Sequence, residues 1–257
     1  MVVDFSKITV YEVIALILSF IAIMIPIIQW AWHKWIVRPI LRHIPTGKLY
    51  PCFNAAGSYL RIESVYEALR KPITVKKISL RVTRLRDDLK LNLKWARFPS
   101  PVSQTSNDNF FVSIESAHPF RIERNSVVTA FTEFEDPDHL FQTFLAKNEG
   151  QKIIFAEKCI SEGLDYNKAL EEFKKQNFYK ETHDFLTKYF FWDKGEYKIE
   201  IIVKYEENEK IFSYNFKIGE VEHDKLMCNL NETCLSPVKN AYKQALNMQW
   251  VTLQLDD

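Results

Sequence analysis

From Val13 to Trp32 the chain reads VIALILSFIAIMIPIIQWAW, twenty residues without a charged side chain. At about 1.5 Å of rise per residue such a helix matches a hydrocarbon layer of roughly 30 Å. Whatever else the chain forms, this run must find an apolar surrounding, so it limits the fold before any other feature does. A cleavable export signal would pair a shorter apolar centre with a basic start and a small-residue cleavage site, whereas this run ends in Gln29, Trp30 and Trp32. A buried core helix seldom stays free of charge over this length. Residues 1–33 are therefore expected to be an N-terminal transmembrane anchor, with Pro26 near its end, where a lost backbone hydrogen bond is tolerated.

Lys7 stands alone before the run, while Lys34, Arg38, Arg42 and Lys48 follow it. That asymmetry predicts a cell membrane protein crossing once, with its C-terminal side cytoplasmic. Trp30, Trp32 and Trp35 then read as an interfacial aromatic belt, with Lys34, Arg38 and Arg42 reaching towards head groups. Residues 34–57 are expected to be a basic interfacial connector, since the stretch mixes proline, glycine and asparagine without clear period. The opposite orientation would find support in Cys228 and Cys234, which could close a small disulfide loop, and in the glycosylation triplet Asn231-Glu232-Thr233.

Residues 58–257 are expected to form one soluble domain, mainly β. Period-2 alternation is clear in SYLRIESVYEAL, in ITVKKISLRVTRL and in LKLNLKWARF, with Arg86-Asp87-Asp88 as the turn between the last two. NFFVSI and SVVTAFTEFE add candidates, and GEYKIEIIVKY followed by IFSYNFKI reads as a hairpin. About seven half-exposed strands suggest an immunoglobulin-like antiparallel β-sandwich, with a barrel as the alternative. Residues 138–194 change character to helical spacing and predict a helical insertion. A C-terminal helix is expected from Ser236, with Pro237 in its first turn.

Several chemistries are excluded or weakly supported. Six scattered glycines assemble no phosphate-binding loop, and a formal net charge of +1 draws no polyanion globally. There is no Gly-x-Ser-x-Gly elbow, no activated-cysteine signature and no zinc-type histidine spacing. The turn EFEDPDHLF places Glu135, Asp136, Asp138 and His139 together, and Asp136, Asp138 and His139 are the candidate metal ligands, with His183 and Asp184 able to join them only in space. The plainer expectation is that Asp138 caps the following helix. Tyr189, Phe190, Phe191 and Trp192 read as core packing.

Basic residues crowd the first alternating strands. Lys77, Arg81, Lys90 and Lys94 should share the polar side of neighbouring strands and form a candidate basic binding face. Near an inner leaflet such a face would attract anionic lipid. The combined expectation is a single-pass, membrane-anchored binding or sensing module rather than an enzyme, without a cofactor. Its partners would be the bilayer, anionic head groups, an unidentified protein and potentially a second copy of itself, with nucleic acid not expected. The rival readings are an effector that oligomerises through its span and perturbs the membrane, and a membrane-attached metal-dependent enzyme.

Overall fold

The computed structural model describes residues 9–32, 38–99, 103–104, 110–111, 114–137 and 140–256. Helix α1 spans Val10–Ala31 and opens where the Thr9 backbone N–H donates to the Glu12 carboxylate at 2.8 Å. None of its side chains is buried against the rest of the chain. Trp30 and Trp32 stand exposed at its C-terminal end.

The core is one antiparallel sheet. Its main strands are β1 (Ile40–Asn54), β2 (Gly57–Leu69), β3 (Ile73–Arg84), β4 (Leu89–Pro99), β9 (Ser126–Glu135), β10 (Gly195–Tyr205), β11 (Asn208–Ile218) and β12 (Leu253–Gln254). Short pieces β7 (Ile114–Ser116) and β8 (Phe120–Ile122) pair with β4 and β3, while β5 (Ser103–Gln104) and β6 (Phe110–Phe111) form a separate ribbon. The main order is β11-β10-β3-β4-β9-β2-β1-β12. Its two ends meet: Asn215 of β11 and Asp256 exchange backbone hydrogen bonds of 2.8 and 2.9 Å. The wall is thus nearly a closed barrel.

The expected division into two facing sheets is not what these strands make; the barrel alternative describes them. The inward residues explain why. Leu41, Ile62, Tyr66, Leu80, Val82, Leu93, Phe134, Ile199, Ile201 and Phe216 all belong to one cluster of buried side chains. Curling one sheet around that cluster removes the exposed edges that a sandwich must protect by other means.

Residues 40–54, inside the expected connector, form the long strand β1. Leu41 and His43 point inward, a bulge between Pro45 and Leu49 interrupts the register, and Leu49, Pro51 and Phe53 resume it. Beyond β2, the strand pairs with β12 only at Lys48 and Leu49, so prolines that cannot donate are accommodated on its open side. The NFFVSI candidate is correspondingly two short pieces, β6 and β7, with residues 112–113 outside the described residues.

Between β9 and β10 lie α2 (Leu140–Lys147), α3 (Glu149–Ser161), α4 (Tyr166–Lys175) and α5 (Asn177–Lys188), and α6 (Glu220–Ala241) follows β11. A second apolar cluster forms among α3 to α6, centred on Ala156, Cys159, Ala169, Phe173, Leu235 and Val238. Helix α6 begins sixteen residues before the Ser236 start expected from sequence, and Pro237 lies within it. Proline leaves the Thr233 carbonyl without its helical donor, and the Ser236 hydroxyl supplies one at 2.9 Å. Asn229 then clips the returning chain, donating to the Gln249 carbonyl at 2.9 Å and accepting from its N–H at 2.5 Å.

Helix α6 also removes the disulfide reading. Cys228 and Cys234 are six positions apart on it, roughly 9 Å along the axis, beyond disulfide reach. The Thr233 hydroxyl of the triplet is buried and donates to the Asn229 carbonyl.

The β1–β2 turn holds the helical layer against the barrel. Gly57 has φ +89°, and a Cβ there would strike the Phe141 ring of α2. Gly57→Ala is therefore expected to destabilise the chain by about 2 kcal/mol, combining left-handed strain with the collision. Thermal unfolding would check this, and an unchanged midpoint would contradict it.

Candidate functional site

The polar faces of β3, β4 and β10 come together as alternation requires. Thr83 lies opposite Lys90 on one side and Lys198 on the other, and Arg81 lies between Asn92 and Glu200. Ser79 faces Lys94 and Ile202, and Lys77 faces Lys204. An open depression of about 610 Å³ lies over Arg81, Thr83, Lys90, Lys198 and Glu200.

Three of the four residues expected to present free positive charge have acidic neighbours. Arg81 meets Glu200 at 3.1 Å, Lys90 meets Asp88 at 3.2 Å, and Lys94 meets Glu135 at 3.8 Å. Lys198, which the sequence did not single out, meets the same Glu200 at 2.9 Å. Hydrogen bonds from Lys198 and then Arg81 hold the Glu200 carboxyl below the usual carboxylate range. For Lys77 no ion pair is present among the described residues. The surface is a mixed-charge lattice because Glu200 and Glu135, from strands distant in sequence, and Asp88, from the adjoining turn, lie beside the basic residues. Exposed pairs of this kind each contribute only about 0.2–1 kcal/mol, so the lattice does little for stability.

The neighbouring outer face carries a tighter network. Glu133, almost fully buried, accepts from Arg61 at 2.6 Å and lies 3.6 Å from Arg97, which also approaches Glu135 at 3.6 Å. Glu135 of the acidic turn is thereby engaged with Lys94 and Arg97. Asp136 and Pro137 end the described part of that turn, and Asp138 and His139 lie outside the described residues. His183 lies on α5 beside Asp184 at 4.0 Å. Among the described residues no group of three or more His, Cys, Asp or Glu side chains is placed to hold a metal ion.

The interfacial set divides in the same way. Trp30 and Trp32 are exposed at the end of α1, Lys34 and Trp35 lie outside the described residues, and Arg38 is exposed just before β1. Arg42 belongs to the barrel wall, 3.6 Å from Glu67 of β2.

Inside the barrel is a polar group that sequence inspection missed. His43 Nδ1 lies 2.7 Å from the Tyr214 hydroxyl and Nε2 lies 2.8 Å from the Ser64 hydroxyl. The rings of Tyr66 and Phe212 flank the imidazole at 5.1 and 5.2 Å. Burial pushes the His43 pKa down to about 4, so the ring is neutral near pH 7. A lone histidine beside two prolines gave no signal; its alternation with Leu41 was the only clue. Serine, imidazole and phenol here are buried together and link β1, β2 and β11 across the core. Burial likewise pushes the thiols of Cys52 and Cys234 up, to about 11 and about 12, which suppresses their nucleophilicity.

The aromatic run is core in its second half, whereas Tyr189 is exposed and Phe190 only partly buried. Phe191 and Trp192 are buried, and the Trp192 indole N–H donates to the Cys52 carbonyl at 2.9 Å. Arg84 closes the same end of the barrel, donating to Asp87 at 2.7 Å and to the Phe191 carbonyl at 3.3 Å.

No family model matches the chain, and no curated protein matches it. A solved family 123 glycoside hydrolase from Clostridium perfringens, described for glycolipid glycan hydrolysis, is similar at 11% identity over 71% of this chain, with a TM-score of 0.31. The chain corresponds to only 27% of that protein's length. A likeness at that score bears on neither the fold nor the activity. What the described residues do display is one exposed apolar helix long enough to cross a membrane, followed by a nearly closed antiparallel barrel with a helical layer.

Proposed function

We propose that the chain is a single-pass membrane protein whose barrel and helical layer form a cytoplasmic binding module, not an enzyme. The observation that carries this reading is α1: a helix of 22 residues, apolar apart from Glu12, Ser19 and Gln29, with no side chain buried by the rest of the fold. An uncovered helix of that kind is stable only where lipid or another protein surrounds it.

The chain length between α1 and β1 supports a further detail. Five residues lie between Trp32 and Arg38, so the six steps from one to the other span at most roughly 20 Å of extended chain. The barrel end where β1 begins therefore lies next to the bilayer. That rim carries Arg38, Arg70 and Arg124, all exposed. Arg81 lies about eight residues further along β3, roughly 25 Å away, well beyond a screening length of about 8 Å. Anionic head groups would thus be met first by the rim arginines, and contact through the β3–β4–β10 face would require the barrel to lie on its side.

Topology tests the proposal directly. A single accessible thiol, Lys217→Cys on the exposed side of β11 in a background lacking the native cysteines, is expected to react with a membrane-impermeant maleimide only after cells are permeabilised. The chain should also stay with membranes through alkaline carbonate and leave them in detergent. Labelling of intact cells would overturn the orientation, and a mature chain lacking residues 1–32 would overturn the anchor.

A further inference from the structure

Helix α3 buries one side and leaves an adjoining apolar flank uncovered. Lys152, Ala156 and Cys159 face inward, and Ala156 and Cys159 pack in the second apolar cluster. Glu149, Ile153, Glu157 and Ile160 recur at intervals of four, four and three on the flank adjoining that inward face, with Ile154 further round the helix. Ile153, Ile154 and Ile160 are 45%, 67% and 46% exposed. A helix apolar over so wide an arc is ordinarily covered across it.

Opposite this stripe, Ser236, Pro237, Asn240 and Ala241 of α6 make a low wall, and the two helices enclose a groove of about 480 Å³. From Glu149 to Ile160 the groove runs roughly 16 Å, the length of three helical turns. Small wall residues let another helix axis approach to the usual 8–10 Å or so. The charge pattern is one-sided. Among the described residues neither Glu149 nor Glu157 enters an ion pair, unlike the acids of the β3–β4–β10 face.

We propose that this groove docks an amphipathic helix of a partner protein, one with large apolar residues three to four positions apart and lysine or arginine on its flanks. The apolar stripe would fill the space between Ile153, Ile160 and Ala241, and the basic flanks would meet Glu149 and Glu157. The proposal rests on the binding-module reading and gives it a surface.

The test uses the full chain in neutral-lipid nanodiscs, with empty nanodiscs as the blank. Two labelled helical peptides of about 14 residues share one leucine stripe and differ in flanks, lysine in one and glutamate in the other. The lysine peptide is expected to bind, and Glu149→Lys with Glu157→Lys to weaken it about tenfold while admitting the glutamate peptide. Ile153→Ser with Ile160→Ser should weaken binding of either peptide. Equal binding of both peptides to the native chain, or binding indifferent to the isoleucine changes, would overturn the proposal. So would a concentration-dependent dimer abolished by Ile160→Glu, because a second copy would then be the occupant. Maleimide labelling from outside would leave these outcomes untouched, so the two readings fail separately.

Discussion

Trp192→Ala is expected to lower the unfolding free energy by about 3–5 kcal/mol, the range for deleting a large buried aromatic side chain. Trp192 is fully buried and packs edge-to-face with Phe191 at 5.1 Å. Its N–H also satisfies the Cys52 carbonyl, so the indole ties β1 to the segment entering β10. Alanine would leave both a cavity and an unpaired carbonyl. Trp192→Phe keeps most of the bulk and loses the hydrogen bond, and is expected to cost about 1–3 kcal/mol. Urea unfolding of the detergent-solubilised chain, followed by circular dichroism, separates the two effects. A loss below about 1 kcal/mol in the alanine variant would show that the indole is not part of the core.

Acidification is expected to weaken the barrel through His43. With a folded pKa of about 4 and an ordinary value of 6.5, the ring stays neutral in the folded chain while it charges in the unfolded one. Stability from this group is therefore complete above pH 6.5, falls as pH drops from 6.5 towards 4, and falls no further below that. The full loss corresponds to about 3 kcal/mol. His43→Gln retains polar atoms between Tyr214 and Ser64 but cannot take up the proton. Comparing urea midpoints at neutral and mildly acidic pH isolates the difference: the native chain should lose more stability than the variant. Parallel losses in both chains would mean that His43 carries no proton linkage.

Legibility followed the physical range of each signal. The β3–β4 and β10–β11 hairpins were readable because alternation is local and their turns are short. Strand β1 was not, because Pro45, Gly47 and Pro51 carry turn chemistry that in this fold belongs to a bulge and an open strand side. The shape of the sheet escaped for a different reason: strand periodicity reports which residues face inward but not whether they face one another or a second sheet. Glu200 and Glu135 could not be matched to Arg81 and Lys94 from sequence, since register across distant strands decides those neighbours. Helix α3 was the least legible element. Its inward Ala156 and Cys159 and the exposed Ile153 and Ile160 on the adjoining flank widen the apolar arc, so its 3.6-residue period is blurred, and the uncovered part of that arc lines the groove.

Closure at Asn215 and Asp256 has a kinetic consequence. The residues that join β11 to β1 follow every other strand of the barrel in chain order. In a growing chain β1 and β11 would thus still present open edges, and ring closure must await translation of residues 253–256. Pairings of such long sequence separation form slowly. Until then the unpaired edges invite association with neighbouring nascent chains. Asn229 and Glu232, which hold Gln249 and Asn247 through backbone contacts of 2.5 and 2.8 Å, shorten that search by delivering the last strand to its gap.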